Sequence, residues 1–357
     1  MNDDLRDFSD AARQVVQGLG PQASEEQAWS LVAELGWLLT SIPEDCDGPG
    51  MGLPGACALL GELGRGVVPV PLLPALLAAD ALCSAEVPDR QAMLERLGSG
   101  EDYLAVSLAG STLVGSEEEN LTLSGVVEAV PSADRCKQIL VWTASGDAVA
   151  LVAVDQPGVE LQYRETWDAS RRLFDVRLQN VAVGPGDLIA RGEAAAALLE
   201  RILTWRDFAL AAEAIGGAAA LLEQTIEYLQ TRRQFGRPLA MFQALKHRCA
   251  DLQALVEAAE ALLQDGLARV TGGGYEFLPG SDSRRAGQAA MFMACEAYST
   301  VAEESLQLHG GIGMTAEHSC HRYLKRALLD EHLGRGRENY EIALADEMMA
   351  SVARHSA

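Results

Sequence analysis

A chain of 357 residues is long enough for two or three layers packed around a large core. With 48% hydrophobic, 22% charged and only 5% aromatic residues, beside abundant Ala, Leu and Gly, it favours close-packed helices over an all-β fold. Fifty-one acidic against 28 basic residues leave a net charge of −23. That excludes the basic face a nucleic acid needs, and suits solubility or a less acidic partner subunit.

The N-terminus, MNDDLRDFSDAARQ, is polar and acidic, unlike a signal or transit peptide. No apolar run approaches the roughly 20 residues of a membrane span. Seven scattered cysteines without CxxC spacing suit a reducing compartment, so the expected location is cytoplasmic. Residues 1–102 read as an N-terminal helical domain, with Leu31, Leu35, Leu38 and Leu39 at helical spacing. A Pro/Gly/Asp loop from Pro43 to Pro54 interrupts it; helices resume around Ala56–Leu63 and after Val67. Gly98–Asp102 (GSGED) marks the boundary.

Residues 103–187 change texture. Short β-leaning segments (YLAVSLA, NLTLSGVVEAV, QILVWTA, AVALVAV, VELQYRE, FDVRLQNVAV) are separated by turn signals. They predict a β-barrel or sandwich, with Trp142 as a core strand residue. From Leu188 onward, residues 188–357 return to long helices. Their apolar stripes are Phe208, Ile215, Leu222, Ile226, Leu229; then Phe242, Leu245, Cys249, Leu252, Val256, Ala259, Leu263; then Met293, Ala297, Val301, Leu308. Short connections predict an antiparallel four-helix bundle, giving an α+β, mainly α chain. Gly216-Gly217 in the first bundle helix allows a close helix contact.

Two stretches carry chemistry. In Tyr228–Gln243 (YLQTRRQFGRPLAMFQ) a helix ends near Arg233 and the chain turns at Gly236. Arg232, Arg233, Gln234 and Phe235 are thereby displayed at a helix–helix corner, where an Arg can contact a phosphate and a Phe an adenine face; a solvated basic patch beside a buried Phe is the plainer alternative. In Gln307–Thr315 (QLHGGIGMT) glycines after a long helix permit close backbone approach to a dinucleotide, although such a run also serves as an ordinary C-cap. His318, Cys320, His321 and His332 lie near one another, but HxCH on one helix does not match zinc spacing, so no metal is expected.

In order and spacing these stretches resemble the acyl-CoA dehydrogenase family. RRQFGRPLAMFQALKHRCADLQ is similar to its RxQFG…FQ…AD signature, and QLHGGIGMTAEHSCHRYLKRA to its QxxGGxG…E…R signature. Upstream, ELGWLLTSIPEDCDGPGMG resembles the family's GW…PE…GG pattern and RETWDASRRLFDVRLQNVAV the end of its β domain. The resemblance implies N-terminal helices, a central β domain and a C-terminal four-helix bundle that binds FAD and oxidises acyl-CoA thioesters to 2,3-enoyl-CoA. A carboxylate removes the α-proton, the β-hydrogen leaves as hydride, and an electron-transferring flavoprotein is the usual acceptor. In family oligomers the two signatures hold the ADP half of a neighbouring subunit's FAD. Carried over by position, they nominate Arg232, Gln234, Phe235, Gln243, Gln307, Gly310 and Gly311 as cofactor contacts.

The pattern fails at the base. Gap-free counting puts the usual glutamate position at Gly334 and the alternative position, on the first bundle helix, at Arg206. Glycine has no carboxylate, and arginine stays protonated. Asp207 and Glu331 are the nearest carboxylates, but one residue along a helix rotates a side chain by about 100°, and Glu331 reaches only if the backbone differs. The central segments SLAGSTLVGSEEEN and GVVEAVPSAD also lack the family's flavin-side Trp and Thr. The chain thus resembles the base-lacking subunit of bacterial heteromeric acyl-CoA dehydrogenases, which pairs with a catalytic second subunit in a heterotetramer. The alternatives are a self-sufficient homo-oligomer using Asp207 or Glu331, and a structural or binding protein on a retired scaffold.

Overall fold

The structure, a computed structural model, describes residues 3–19, 23–117, 121–278 and 280–355. Five helices come first: α1 (Asp3–Leu19), α2 (Glu25–Glu34), α3 (Gly52–Gly66), α4 (Leu72–Cys83) and α5 (Arg90–Gly98). Ser24 and Gln27 start α2 with a reciprocal capping box. The sequence of α4, LLPALLAADALC, is apolar on all sides, and it is buried on all sides between α5, α6 and β1.

Eight strands follow: β1 (Leu104–Val106), β2 (Val114–Glu117), β3 (Leu121–Pro131), β4 (Gln138–Trp142), β5 (Ala148–Ala153), β6 (Val159–Arg164), β7 (Leu173–Ala182) and β8 (Leu188–Arg191). They form two four-stranded sheets, ordered β1-β4-β5-β8 and β2-β3-β7-β6, with β1 and β4 parallel and the other pairs antiparallel. Trp142 is buried in β4. The expectation that helices resume at Leu188 is corrected: Leu188–Arg191 pair with the open edge of β5, and the helix starts only at Gly192, where φ is +56°.

The long helix α6 (Gly192–Thr231) leads through a two-residue ribbon, β9 (Arg233–Gln234) and β10 (Arg237–Pro238), into α7 (Gln243–Thr271). Next come α8 (Ser281–His309), α9 (Cys320–Asp330) and α10 (Arg337–His355). Helix α8 packs along α6 and α7, and α9 and α10 dock against it. Phe208, Ile215, Leu222 and Leu229 face this core as their spacing predicts. Phe242, Leu245 and Cys249 at the start of α7 are only half-buried, because that end of the bundle has an uncovered outer face. Among the described residues no helix is long and apolar enough to cross a membrane, and all seven cysteines are free thiols.

Glycines set how closely α6 approaches its neighbours. A Cβ at Gly216 would run into the Gly61 carbonyl of α3, and one at Gly217 would stand 2.6 Å from the Tyr298 ring of α8. Gly216→Ala is therefore expected to cost about 2–3 kcal/mol by overpacking, read as a lower urea midpoint at unchanged slope.

Candidate functional site

The two positions where the resemblance leads one to expect a base, far apart in sequence, meet in space. Arg206 lies on α6 and is fully buried. Gly334 sits in the turn between α9 and α10 at φ +66°, its N–H donating to the Leu108 carbonyl at 2.5 Å. A Cβ on Gly334 would be 3.4 Å from Arg206 Nη2 and would run into the Tyr340 hydroxyl. What fills this place is a buried ion cluster. Arg206 Nη1 donates to the Ala109 carbonyl at 2.8 Å, while its Nε and Nη2 donate to Asp207 Oδ1 at 3.1 and 3.0 Å. Tyr340 Oη donates to the same oxygen at 2.7 Å, and Arg284 Nη1 donates to Asp207 Oδ2 at 2.5 Å.

Asp207 is thus near Arg206, as its place in the chain requires, but both of its oxygens already accept from guanidinium or phenol groups. Such a carboxylate is a structural anion: it is fully buried, and guanidinium groups on both oxygens hold its charge and lower its basicity. Burial, and next the Asp207 charge, push the Tyr340 hydroxyl well above the ordinary phenol range. Glu331 accepts from Ser299 Oγ at 2.8 Å and lies 3.6 Å from Arg337. Tyr340 and Arg284 went unseen in the sequence, because nothing in ENYEIA or SDSRRAG signals a long-range partnership with α6.

The segments facing the expected flavin position are turned inward too. Ser107 Oγ donates to the Glu128 carbonyl at 2.5 Å, Ser111 Oγ to that of Trp142 at 2.5 Å, and Tyr103 Oη to that of Pro131 at 2.7 Å. Val127, Ala129 and Val130 are buried in β3. The cavity between the two segments, lined by Val70, Leu73, Leu108, Pro131 and Arg171, measures about 10 Å³. Ligand pockets span roughly 300–1,000 Å³. A gap of that size between these two segments holds no flavin ring.

A second buried ion cluster staples the β6–β7 loop to the bundle. Arg326 donates to Asp168 Oδ2 at 2.5 Å and pairs with Glu213, while Arg171 reaches Glu213 at 2.6 Å and Asp330 at 3.2 Å. Three carboxylates therefore share two guanidinium groups, and Asp330 Oδ2 has no partner. Burial pushes the Asp330 carboxyl far above the usual carboxylate range, outweighing Arg171. A carboxyl raised on folding stabilises fully below its unfolded pKa, and that contribution is lost as pH rises through the folded value. Asp330→Asn is accordingly expected to stabilise the chain by about 1–2 kcal/mol at pH 8 and to have much less effect at pH 5. Urea unfolding at both pH values checks it.

The nominated cofactor contacts lie at the end of the bundle. Arg232, Gln234, Gln243 and Gln307 are exposed, and Phe235, held at φ +50°, is 89% exposed. The Phe235 and Phe242 rings meet edge to face at 6.1 Å, with the Arg237 guanidinium 4.0 Å from the Phe242 centroid. Gly310 has φ +63°, and a side chain at Gly310 or Gly311 would meet nothing within 4 Å. Tyr228 Oη donates to the His309 carbonyl at 3.3 Å, bringing the ends of α6 and α8 together. Met241, Ile312 and Met314 add exposed apolar surface. Unpaired donors, glycine backbone and exposed rings are thus gathered at this end of the bundle. Among the described residues no group of three or more metal-ligating side chains converges.

The chain matches the acyl-CoA dehydrogenase N-terminal domain over residues 2–101 and the acyl-CoA dehydrogenase C-terminal domain over residues 195–349. It is 37% identical over 305 residues to Acyl-CoA dehydrogenase IpdE2 of Mycobacterium tuberculosis, covering 85% of this chain and 80% of that protein. The chain belongs to the acyl-CoA dehydrogenase family. By homology it is an acyl-CoA dehydrogenase, of a family that normally binds FAD. Its architecture follows the family: one chain of the ChsE4-ChsE5 complex from Mycobacterium tuberculosis superposes with a TM-score of 0.87 at 25% identity, over 98% of each chain. A chain of the Tcur3481-Tcur3483 steroid ACAD G363A variant superposes at 0.84 and 28% identity, over 98% of this chain and 99% of that one.

Proposed function

We propose that this chain is the non-catalytic half of a heteromeric FAD-dependent acyl-CoA dehydrogenase, and that it supplies the ADP half of a FAD site to a catalytic partner subunit. One observation carries the proposal: Arg206, Asp207, Arg284 and Tyr340 fill the place of the base with a closed ion cluster. The exposed corner of Arg232–Phe235 beside the Gly310-Gly311 turn, and the two-component complexes among the similar structures, support it. The bound flavin would accept hydride from an acyl-CoA thioester held by the partner, and pass electrons to an electron-transferring flavoprotein. On this chain, Arg232 would pair with the diphosphate and Phe235 would lie against the adenine. Gln234, Gln243 and Gln307 would donate hydrogen bonds, and Gly310-Gly311 would let the backbone approach. The steroid substrate in one neighbour's description makes a ring-bearing thioester the first to try.

The lone chain is expected to be colourless, and the chain co-expressed with a family member that carries the base glutamate to be yellow and active. A lone chain that holds stoichiometric FAD and desaturates an acyl-CoA overturns the proposal. Within the pair, Arg232→Ala is expected to weaken FAD retention by about 10- to 100-fold through one lost charge-assisted contact, measured by flavin release on dilution.

A further inference from the structure

Behind the exposed turn lies a knot of rings that the functional reading does not use. His309, the last residue of α8, is 3% exposed. Its ring stacks on Tyr228 of α6 with centroids 4.5 Å apart, and faces the His318 ring with centroids 4.4 Å apart. His309 Nδ1 donates to the Ser305 carbonyl at 2.8 Å, which fixes the proton there and leaves Nε2 as a bare lone pair. That Nε2 is buried without a partner. His318 Nδ1 accepts from the Cys320 N–H at 3.2 Å, so its own proton sits on Nε2. Cys320 Sγ lies 4.0 Å from His309, and His321 Nδ1 donates to the His318 carbonyl at 2.7 Å.

The groups facing the pair are therefore Tyr228 from α6, Ser305 from α8, and Cys320 and His321 at the start of α9. Among the described residues no carboxylate forms an ion pair with either ring. Nothing is placed to receive a second proton, and a charge on one imidazole would face the other at van der Waals distance. We infer that His309 and His318 are positioning residues: neutral, they lock the Gly310–Met314 turn to the end of α6, and protonated, they release it. Burial lowers both imidazoles, with His318 adding to the effect on His309 and His321 to that on His318. A histidine lowered on folding contributes stability that is full above the ordinary imidazole value of about 6.5, and that is lost as pH falls toward the lower folded value. Because the turn is half of the proposed ADP surface, a consequence for FAD rests on that proposal, while the latch itself does not.

Hydrogen exchange on the lone chain tests the latch without cofactor or partner. The Gly310 and Thr315 amides, bonded to the Gln307 and Ile312 carbonyls, are the probes. Corrected for intrinsic rates, their opening is expected to rise about tenfold per pH unit below about 6.5. In His309→Phe, which keeps an aromatic ring against Tyr228 but cannot ionise, the rise is expected to be clearly smaller, because only His318 remains to titrate. PH-independent opening of the wild-type turn, or an unchanged rise in His309→Phe, overturns the inference. Should His309→Phe not fold, His318→Phe carries the same expectation. A second measurement follows FAD release from the co-expressed pair between pH 7.5 and 5.5. An acid-opened turn in the lone chain with pH-independent FAD retention in the pair sinks the shared-site proposal and leaves the latch standing. Acid release that is equal in the wild-type and His309→Phe pairs removes the positioning role.

Discussion

Replacing Asp207 with alanine is expected to cost about 3–5 kcal/mol of stability, because Arg206 and Arg284 would be left buried around a missing anion. Asp207 is fully buried and accepts from Arg206, Arg284 and Tyr340. Removing a catalytic base has the opposite signature: activity falls by orders of magnitude while stability changes little or improves. Urea unfolding at pH 7.5 therefore discriminates between the roles, whether or not the substrate is known. Asp207→Asn, which keeps an acceptor oxygen but no charge, is expected to fall between wild type and alanine. Exchanging the whole ion set for apolar residues of similar volume is expected to recover much of the loss, since desolvating charges offsets much of what their pairing contributes. A fully stable Asp207→Ala chain would return Asp207 to the list of candidate bases.

The bundle and the β region were legible because each rests on local signals. Apolar spacing fixed the faces of α6 and α8, turn residues punctuated the strands, and counting within the motifs located Arg206 and Gly334. The miss at Leu188–Arg191 has a plain cause. LIAR is apolar enough to begin a helix, and only the free edge of β5, a nonlocal fact, makes it a strand. The same limit hid the site's content. That Arg206 and Gly334 adjoin depends on how the α9–α10 turn folds back over α6. That Tyr340 enters between them depends on where α10 lies along α8. Arg284 and Arg326 look alike in the sequence, yet they close different clusters, one around Asp207 and one around Asp168 and Glu213. Surface exposure was easier to read: Arg232–Phe235 and Gly310-Gly311 follow helix ends, where motif and geometry share a cause.

Installing a glutamate at Gly334, the position the resemblance indicates, is expected to give no working base. Gly334→Glu places a side chain at φ +66°, a conformation L residues rarely adopt, and drives its Cβ into the Tyr340 hydroxyl. Backbone strain and overpacking together predict a loss of about 3 kcal/mol or more. Clearing the clash with Tyr340→Ala removes the steric term but not the electrostatic one. The new side chain would start, at its Cβ, 3.4 Å from Arg206 Nη2, within reach of the guanidinium. An arginine beside a carboxylate stabilises its charged form, which lowers its basicity and holds its lone pairs. The double variant is thus expected to lose the overpacking but keep the backbone strain, and to show no acyl-CoA-dependent dye reduction as a lone chain. Thermal midpoints and dye reduction, measured together, separate the two terms. A Gly334→Glu chain that is as stable as wild type and desaturates a thioester by itself would mean that the pocket is open, and that only the carboxylate had been lost. The hydrogen bonds from Arg206 to Ala109 and from Gly334 to Leu108 argue against that outcome. They tie the loop after β1 directly to the bundle at both positions, so on the proposed reading the loss reaches the walls of the site as well as its base.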